Sequence, residues 1–504
     1  MHLKNAVRKL FLNDGWLQGI LLVFMFLCYG AILFRLHQSA GPFGMTFNSM
    51  LDHLVHGQFD VDPDVIGFEG FLRNGRVYSY WGITCALIRL PLLLFHRMDL
   101  DITTWSCLVA DCLTSMMKVR TVLLIRRFCG PIPKSEWAFS LMLAYIVLGG
   151  AGVGYLRVSV YQEVIFWAVA FAAVFVYFAV KGLVAGQFTA ATLSWMGFAA
   201  GFATLTRVST GLGLCVAFGL LLIVLLVEQS RAHGALVTRR ILIPVAILTV
   251  LLVAAGTVNY HRWGRPWTFA DWTLYIAYHL APDRMQRVRL YGSFNLARIP
   301  FGLCYYFLPV WVLQGADGQL LFESAQTRLL DNVELPPSSP FLTDLLPIAI
   351  IVFLAMALCS KRLSRSGSLP KGGVIARLTD HWRSFGIFSL AEVVALAAGL
   401  AVPFVLMLTA SSMTYRYRME FYPEIDLLAF LSLYATVSNP TLLARFNRCR
   451  RWMLAATVVS IVSAFAAMLL YKISGPGTTE QYLHNGLVNY YRQSASHSFP
   501  RWVH

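Results

Sequence analysis

The sequence predicts an all-α polytopic membrane protein with about eleven transmembrane helices and a first outer loop carrying interfacial or re-entrant helices. Three observations predict it. The 504 residues are 57% hydrophobic and 13% charged, and the mean hydropathy is +0.62. Apolar runs of roughly 18–22 residues recur along the whole chain, enough to cross a hydrocarbon core of about 30 Å. Short basic clusters fall between alternate runs, as orienting charges do. Such runs must be helices, because an isolated strand in lipid leaves its backbone N–H and C=O groups unsatisfied.

Taken in order, the first span covers about 16–34 and follows Lys4, Arg8 and Lys9. No small-residue cleavage site follows it, so it is expected to be a retained helix with the N-terminus inside. The next apolar run, "WGITCALIRLPLLLF", is short and contains Arg89 and Pro91. If it crossed, Lys118, Arg120, Arg126 and Arg127 would lie outside; as a half-buried or re-entrant segment it leaves them inside, as the positive-inside tendency prefers. The remaining spans are expected near 105–125, 137–156, 163–180, 188–205, 209–227, 241–258, 341–359, 386–409, 422–437 and 452–472. Inner connections then carry Lys181, Arg239 and Arg240, Lys361 and Arg362, and Arg445, Arg448, Arg450 and Arg451. "SRSGSLPKGG" at 364–373 reads as a flexible inner loop. The chain is one membrane domain, 1–504. Its large outer loops are 36–104 and 259–340, and 473–504 is an outer tail. "SSMTYRYRMEFYPE" is a short outer segment dense in polar and aromatic groups.

Composition excludes several classes. The net charge of +16 sits in loop clusters, with no basic helix interleaved with aromatics and no zinc spacing, so nucleic acid is not the partner. Nine scattered cysteines show no paired spacing and read as small core residues. The glycines of "GGAGVGYL" follow no strand and read as helix-packing positions rather than a nucleotide loop. No HExxH, GxSxG or Walker-type loop is present.

Chemistry concentrates in the first outer loop. "MTFNSMLDHLVHGQ" places Phe47, Met50, Leu51, Leu54 and Val55 on one face of an amphipathic helix ended by Gly57. Asn48, Asp52 and His56 fall four apart on the other face, expected to meet water or a cavity. Asp60, Asp62 and Asp64 then alternate in an extended segment, which puts their carboxylates on one side. That spacing suits a hard divalent cation, although Pro63 and the absence of a closing glutamate break the calcium-loop pattern. Glu69 stands alone between Phe68 and Gly70, where a carboxylate is placed to abstract a proton or to pair with Arg73 or Arg76. "RNGRVYSYWG" is a turn at Asn74-Gly75 followed by strand-like alternation with Tyr78 and Tyr80 on one side. Asp111 and Glu392 are intramembrane acids, which are functional candidates unless neighbouring helices satisfy them.

This order of pieces resembles the multi-pass glycosyltransferases of the C-class fold, relatives of protein O-mannosyltransferases and lipid A aminoarabinose transferases. An interfacial helix leads to "GQFDVDP", an acid, then "NGRVYSYWGITCALIRLP" and a span ending in the basic "VRTVLLIRRF". "LRVSVYQEVIFWAVAF" resembles the family's next outer turn, with Tyr161 and Glu163 facing the site. "GFAAGFATLTRVSTGLGL" resembles its glycine-rich hairpin with an arginine, here Arg207, at the tip. "VNYHRWGRPW" resembles the start of the large outer loop, and "MTYRYRMEFYPEIDLLAFL" the late segment whose arginine reaches the donor phosphate. Together these pieces cover most of the chain. The adjacent Asp-Glu pair that many members carry after the first span is missing.

The resemblance implies a sugar donor on polyprenyl phosphate, arriving laterally from the bilayer, and a glycan, lipid or protein acceptor in the cell envelope. Glu69, Asp60 and Asp62 then compete for the catalytic base. Arg207, Arg416 and Arg418 are expected at the donor phosphate, where guanidinium groups stabilise developing negative charge. Their alternative is snorkelling or an ion pair with Glu420 or Glu424. Arg73, Arg76, Tyr78, Tyr80, Trp81 and Glu163 are expected to flank the substrates. A bacterial inner membrane is expected from the basic inner loops and from the absence of an Asn-x-Ser/Thr sequon (x not Pro). The competing class is a transporter or flippase of a lipid-linked saccharide, which would want broken helices and polar groups at the midplane in two related halves. Here the polar density gathers at one face.

Overall fold

The computed structural model describes residues 14–35, 41–130, 132, 134–232, 238–308, 329, 332–334, 338–364 and 389–473. The 364–373 loop therefore lies outside the described residues but for its first position, as does the 473–504 tail beyond Ile473. Each apolar segment of the sequence coincides with a helix. These are Asp14–Arg35, Thr103–Cys129, Glu136–Leu148, Val160–Val184, Ala190–Thr206, Val208–Ala232, Thr238–Trp263, Leu345–Ser364, Leu390–Thr409, Tyr422–Ser438 and Arg450–Ile473. The protein is a polytopic helical membrane protein.

Among the described residues, seven helices are long and apolar enough to cross a membrane alone, or eight if one bent pair forms a single span. The expected number of crossings, about eleven, is larger, and the difference has physical causes. The Thr103–Cys129 helix carries Asp111, Lys118, Arg120, Arg126 and Arg127 and gains its burial from neighbours rather than from composition. Ala190–Thr206 has 17 residues, and the apolar part of the Leu345 helix ends at Leu358. The Tyr415–Ser438 and Pro440–Arg448 pair is bent by 106° at Asn439, whose side chain caps the second helix.

The segment expected to be half-buried forms two short helical pieces, Thr84–Leu87 and Leu90–Leu94. At 1.5 Å per residue the whole Thr84–Leu94 segment reaches at most roughly half-way through a hydrocarbon core. The Thr46–Val55 helix departs from the expected solvated face. Thr46 to Leu51 are all buried, Asn48 included. The Asn48 amide donates to the carbonyls of Met98 and Leu100 and accepts from Arg89, which is why it turns inward. Asp52 and His56 remain exposed.

Small residues let the helices approach closely. A Cβ at Gly399 would lie 2.1 Å from the backbone nitrogen of Ala217, so the Leu390–Thr409 and Val208–Ala232 helices touch backbone to backbone. The contact at Gly82 has the same character. Its Cβ would lie 1.9 Å from the Leu205 carbonyl oxygen and 2.7 Å from that of Thr206, and its own N–H donates to Thr206 at 3.3 Å. The 41–102 segment is thereby docked on the turn between the Ala190–Thr206 and Val208–Ala232 helices. Because the obstacle is backbone, Gly82→Ala should destabilise the protein by about 1–3 kcal/mol or more, read as a lowered unfolding temperature in detergent micelles. An unchanged temperature would mean that this docking is loose.

The two ends of the bundle differ. One carries the basic residues Arg126, Arg127, Lys181, Arg240, Arg445, Arg448, Arg450 and Arg451. The other gathers the 41–102 segment, the segment after Trp263 and the Tyr415–Phe421 3-10 stretch. Two small sheets stitch this end: the Phe71–Arg73 and Arg76–Tyr78 hairpin, and the parallel pair Asn332–Val333 with Ser412–Met413.

Candidate active site

A cavity of about 1580 Å³ opens at the loop-rich end, lined by segments from nearly every part of the described chain. Helix ends supply its walls near residues 157–164, 204–212, 255–262 and 406–417, and the 41–102 segment supplies residues 68–69 and 80–83.

Glu69 enters this cavity from a one-turn 3-10 helix, Gly67–Glu69. Gly67 sits at φ +50, a left-handed position that favours glycine, and it aims the turn inward. The side chain is buried, and its Oε2 accepts a hydrogen bond from the Tyr275 hydroxyl at 2.9 Å. Tyr161 hydrogen-bonds the same carboxylate from the Val160–Val184 helix. Tyr275 is brought there by main-chain pairing, the Ile276 N–H donating to Gly70 at 3.0 Å and Phe71 bridging Tyr275. Burial, and next the Glu69 charge, push the hydroxyls of Tyr275 and Tyr80 well above the ordinary phenol range. Both stay neutral, and Glu69 accepts the Tyr275 hydrogen bond.

Across the cavity stand Arg207 and Arg416. Arg207 breaks the helix at the tip of its hairpin with extended backbone, φ −147 and ψ 113. Its guanidinium pairs with Glu420 and lies 4.9 Å over the Tyr417 ring. Burial alone would lower its pKa, but Glu420 outweighs this and holds the group charged. Arg416 pairs with Glu334 at 2.8 Å and lies 4.6 Å over the Tyr161 ring and 5.6 Å from Tyr417. Tyr161 thus touches both the carboxylate and an arginine, and Tyr417 sits between the two arginines.

Other sequence candidates fall elsewhere. Asp60 and Asp62 lie outside the cavity lining. His53 reaches both, at 3.3 Å each, and Arg76 lies 3.6 Å from Asp60. The Ser49 hydroxyl also donates to Asp62 at 2.7 Å. Arg73 turns away to the carbonyl of Arg262 at 2.7 Å, where it ties the hairpin to the end of the Thr238–Trp263 helix. Tyr78 packs on Trp263. Of the hairpin candidates, Tyr80 and Trp81 line the cavity.

Glu163 is a correction of the same kind. Successive helical residues point about 100° apart, so with Tyr161 and Val164 on the cavity Glu163 faces the bundle. There it meets Arg89 at 2.6 Å, and both side chains are fully buried. Arg418, two residues beyond Arg416, is likewise turned into the protein. It donates to the Ser338 carbonyl at 2.6 Å and to Thr343 at 2.9 Å, with Asp344 at 3.8 Å.

Several lining residues had no sequence signal of their own. Tyr275, Trp272 and Tyr278 lie in an aromatic run after the Thr238–Trp263 helix, where any of many rings could have faced the site. Arg262 is buried at the mouth of the Thr238–Trp263 helix and donates to the Trp81 carbonyl at 2.7 Å. Glu334 is isolated in sequence from the Arg416 it neutralises.

The aspartate cluster does not fit a divalent cation, because His53 and the Arg76 guanidinium occupy its carboxylates. Among the described residues no group of three or more His, Cys, Asp and Glu side chains is arranged to hold a metal ion.

No family model matches the chain, and no curated protein does. Among solved structures, the chain is similar to the archaeal oligosaccharyltransferase AglB from Archaeoglobus fulgidus, in complex with an inhibitory peptide and a dolichol-phosphate. Identity is 11% and the TM-score 0.42, over 93% of this chain and 57% of AglB, so the chain spans little more than half of that protein's length. It is also similar to ArnT from Cupriavidus metallidurans bound to undecaprenyl phosphate. There the identity is 12% and the TM-score 0.40, over 90% of this chain and 76% of ArnT.

Proposed function

We propose that the protein is a membrane glycosyltransferase that moves a sugar from a polyprenyl-phosphate donor to an acceptor hydroxyl on the outer face. The observation that carries this is one cavity in which Glu69, Arg207 and Arg416, far apart in sequence, meet around a shared set of tyrosines. The basic end of the bundle belongs inside by the positive-inside tendency, which puts the cavity outside. A bacterial inner membrane, with the N-terminus cytoplasmic, fits this placement.

The donor enters from the bilayer with its phosphate at headgroup level. Arg207 and Arg416 hold the phosphate oxygens, exchanging part of their contact with Glu420 and Glu334. The acceptor oxygen attacks the anomeric carbon, its proton passes to Glu69, and the bond from that carbon to the phosphate oxygen breaks. The leaving phosphate keeps the electron pair, and the two guanidinium groups stabilise it. One displacement of this kind inverts the anomeric centre. Aromatic rings at Tyr80, Trp81 and Trp272 offer flat apolar surface to the sugar and lipid. A transporter site would sit near the midplane, whereas these polar groups gather at one end of the bundle.

The test is transfer of a labelled sugar from polyprenyl phosphate in membranes. Arg207→Gln and Arg416→Gln should each lose about 10²–10³-fold in turnover. Asp60→Asn and Asp62→Asn should stay near the wild-type rate. The opposite pattern would move the catalytic group to the aspartate cluster.

A further inference from the structure

Arg207 and Arg416 each keep a glutamate, Glu420 and Glu334. Arg262 lines the same cavity and is 2% exposed, yet no carboxylate among the described residues is paired with it. Its Nη1 donates to the Trp81 carbonyl at 2.7 Å, and its Nη2 meets the Met50 sulfur, a weak acceptor, at 3.5 Å. The buried Nε–H has no acceptor at all among the described residues. A guanidinium buried without an anion is costly, and a bound anion relieves that cost. The Nε and Nη2 edge is one of the planar forks that a carboxylate meets with two parallel hydrogen bonds.

The position of Arg262 says which part of a substrate that anion belongs to. Arg207 and Arg416 converge on the Tyr417 ring, whereas Arg262 converges on Trp81. One peptide unit joins the two places. The Trp81 C=O accepts from Arg262, and the Gly82 N–H of the same unit donates to the Thr206 carbonyl at 3.3 Å, immediately before Arg207. These contacts in line put the Arg262 guanidinium about 8 Å from the backbone that leads into Arg207. Gly82 fixes this spacing, because the backbone of Leu205 and Thr206 leaves no room for a Cβ. A gap of this order takes a sugar ring with a phosphate at one end and a second anionic group at the other.

The wall around Arg262 suits a sugar. Trp81 supplies a ring, and Asn259, three residues before Arg262 on the same helix, also lines the cavity. The Asn259 Nδ2 donates to the Pro266 carbonyl at 3.1 Å, which turns its amide oxygen into an acceptor for a hydroxyl.

We infer that the transferred sugar is acidic, a uronic acid with its carboxylate away from the anomeric carbon, and that Arg262 binds that carboxylate. This rests on the reading of the cavity as a transferase site. It is tested by binding of undecaprenyl-phosphate-linked glucuronic acid, undecaprenyl-phosphate-linked glucose and undecaprenyl phosphate to the purified protein in neutral detergent. The two sugars differ only in the carboxylate. The glucuronic acid donor should bind at least about tenfold more tightly than the glucose donor, the gain of one charge-assisted contact. Arg262→Gln should erase that preference and leave undecaprenyl phosphate binding within about twofold. Equal binding of the two donors by the wild-type protein would overturn the inference, a comparison that needs no variant to fold. A preference that survives Arg262→Gln would overturn it as well. So would a tenfold loss of undecaprenyl phosphate binding in an Arg262→Gln protein that unfolds at the wild-type temperature, since Arg262 would then be a third phosphate ligand. Failure of the wild-type protein to bind undecaprenyl phosphate would instead strike the transferase reading, which separates the two.

Discussion

Glu69→Gln should abolish most sugar transfer, by about 10²–10⁴-fold in turnover, with little change in donor binding. The amide oxygen can still accept from Tyr275, whose hydroxyl lies 2.9 Å from the carboxylate, so the loop keeps its position. What is lost is the capacity to take a proton. Among the described residues, the other carboxylates of the cavity lining are engaged, Glu334 by Arg416 and Asp283 by Arg287. Turnover within a few-fold of wild type would show that the base lies elsewhere. A parallel rise in the donor Michaelis constant would show that Glu69 binds rather than reacts.

Glu163→Ala should lower stability by about 3–5 kcal/mol, because it leaves Arg89 buried without a counter-charge. That guanidinium is fully buried and also donates to the Asn48 side chain at 2.7 Å and the Cys85 carbonyl at 2.8 Å. The pair thus fastens the short Thr84–Leu94 segment to the Val160–Val184 helix behind the site. Replacing both charges, as in Arg89→Met with Glu163→Leu, should recover much of the loss, since a packed apolar pair needs no desolvation. Thermal unfolding in detergent checks both variants. A Glu163→Ala protein as stable as wild type would free Glu163 for the substrate role that its motif suggested.

How far the sequence could be read depended on the kind of signal. The helices were legible because a hydrocarbon core imposes length and apolarity locally, as in Val160–Val184 or Leu390–Thr409. Thr103–Cys129 was legible too, yet its five charges are tolerated through partners such as Asp426, 2.8 Å from Lys118, which no local pattern discloses. Within the site, Glu69 and Tyr80 stood out as polar groups of a loop between apolar runs, and Arg207 and Arg416 as charges at expected membrane edges, and one cavity gathers them. Arg418 and Glu163 carried the same signal, and the structure turns them inward. The difference is a rotation of one or two residues on a helical turn, smaller than the uncertainty of any boundary drawn from hydropathy. Tyr275 and Glu334 were beyond reach for another reason. They arrive through main-chain pairing and ion pairs across 206 and 82 positions of sequence.

The most direct measurement is a structure of the Glu69→Gln protein with a polyprenyl-phosphate sugar bound. The phosphate should lie within about 3 Å of both the Arg207 and Arg416 guanidinium groups, with the anomeric carbon facing residue 69. A donor phosphate held at the His53–Asp60–Asp62 cluster or at the basic end of the bundle, away from these three residues, would contradict the account.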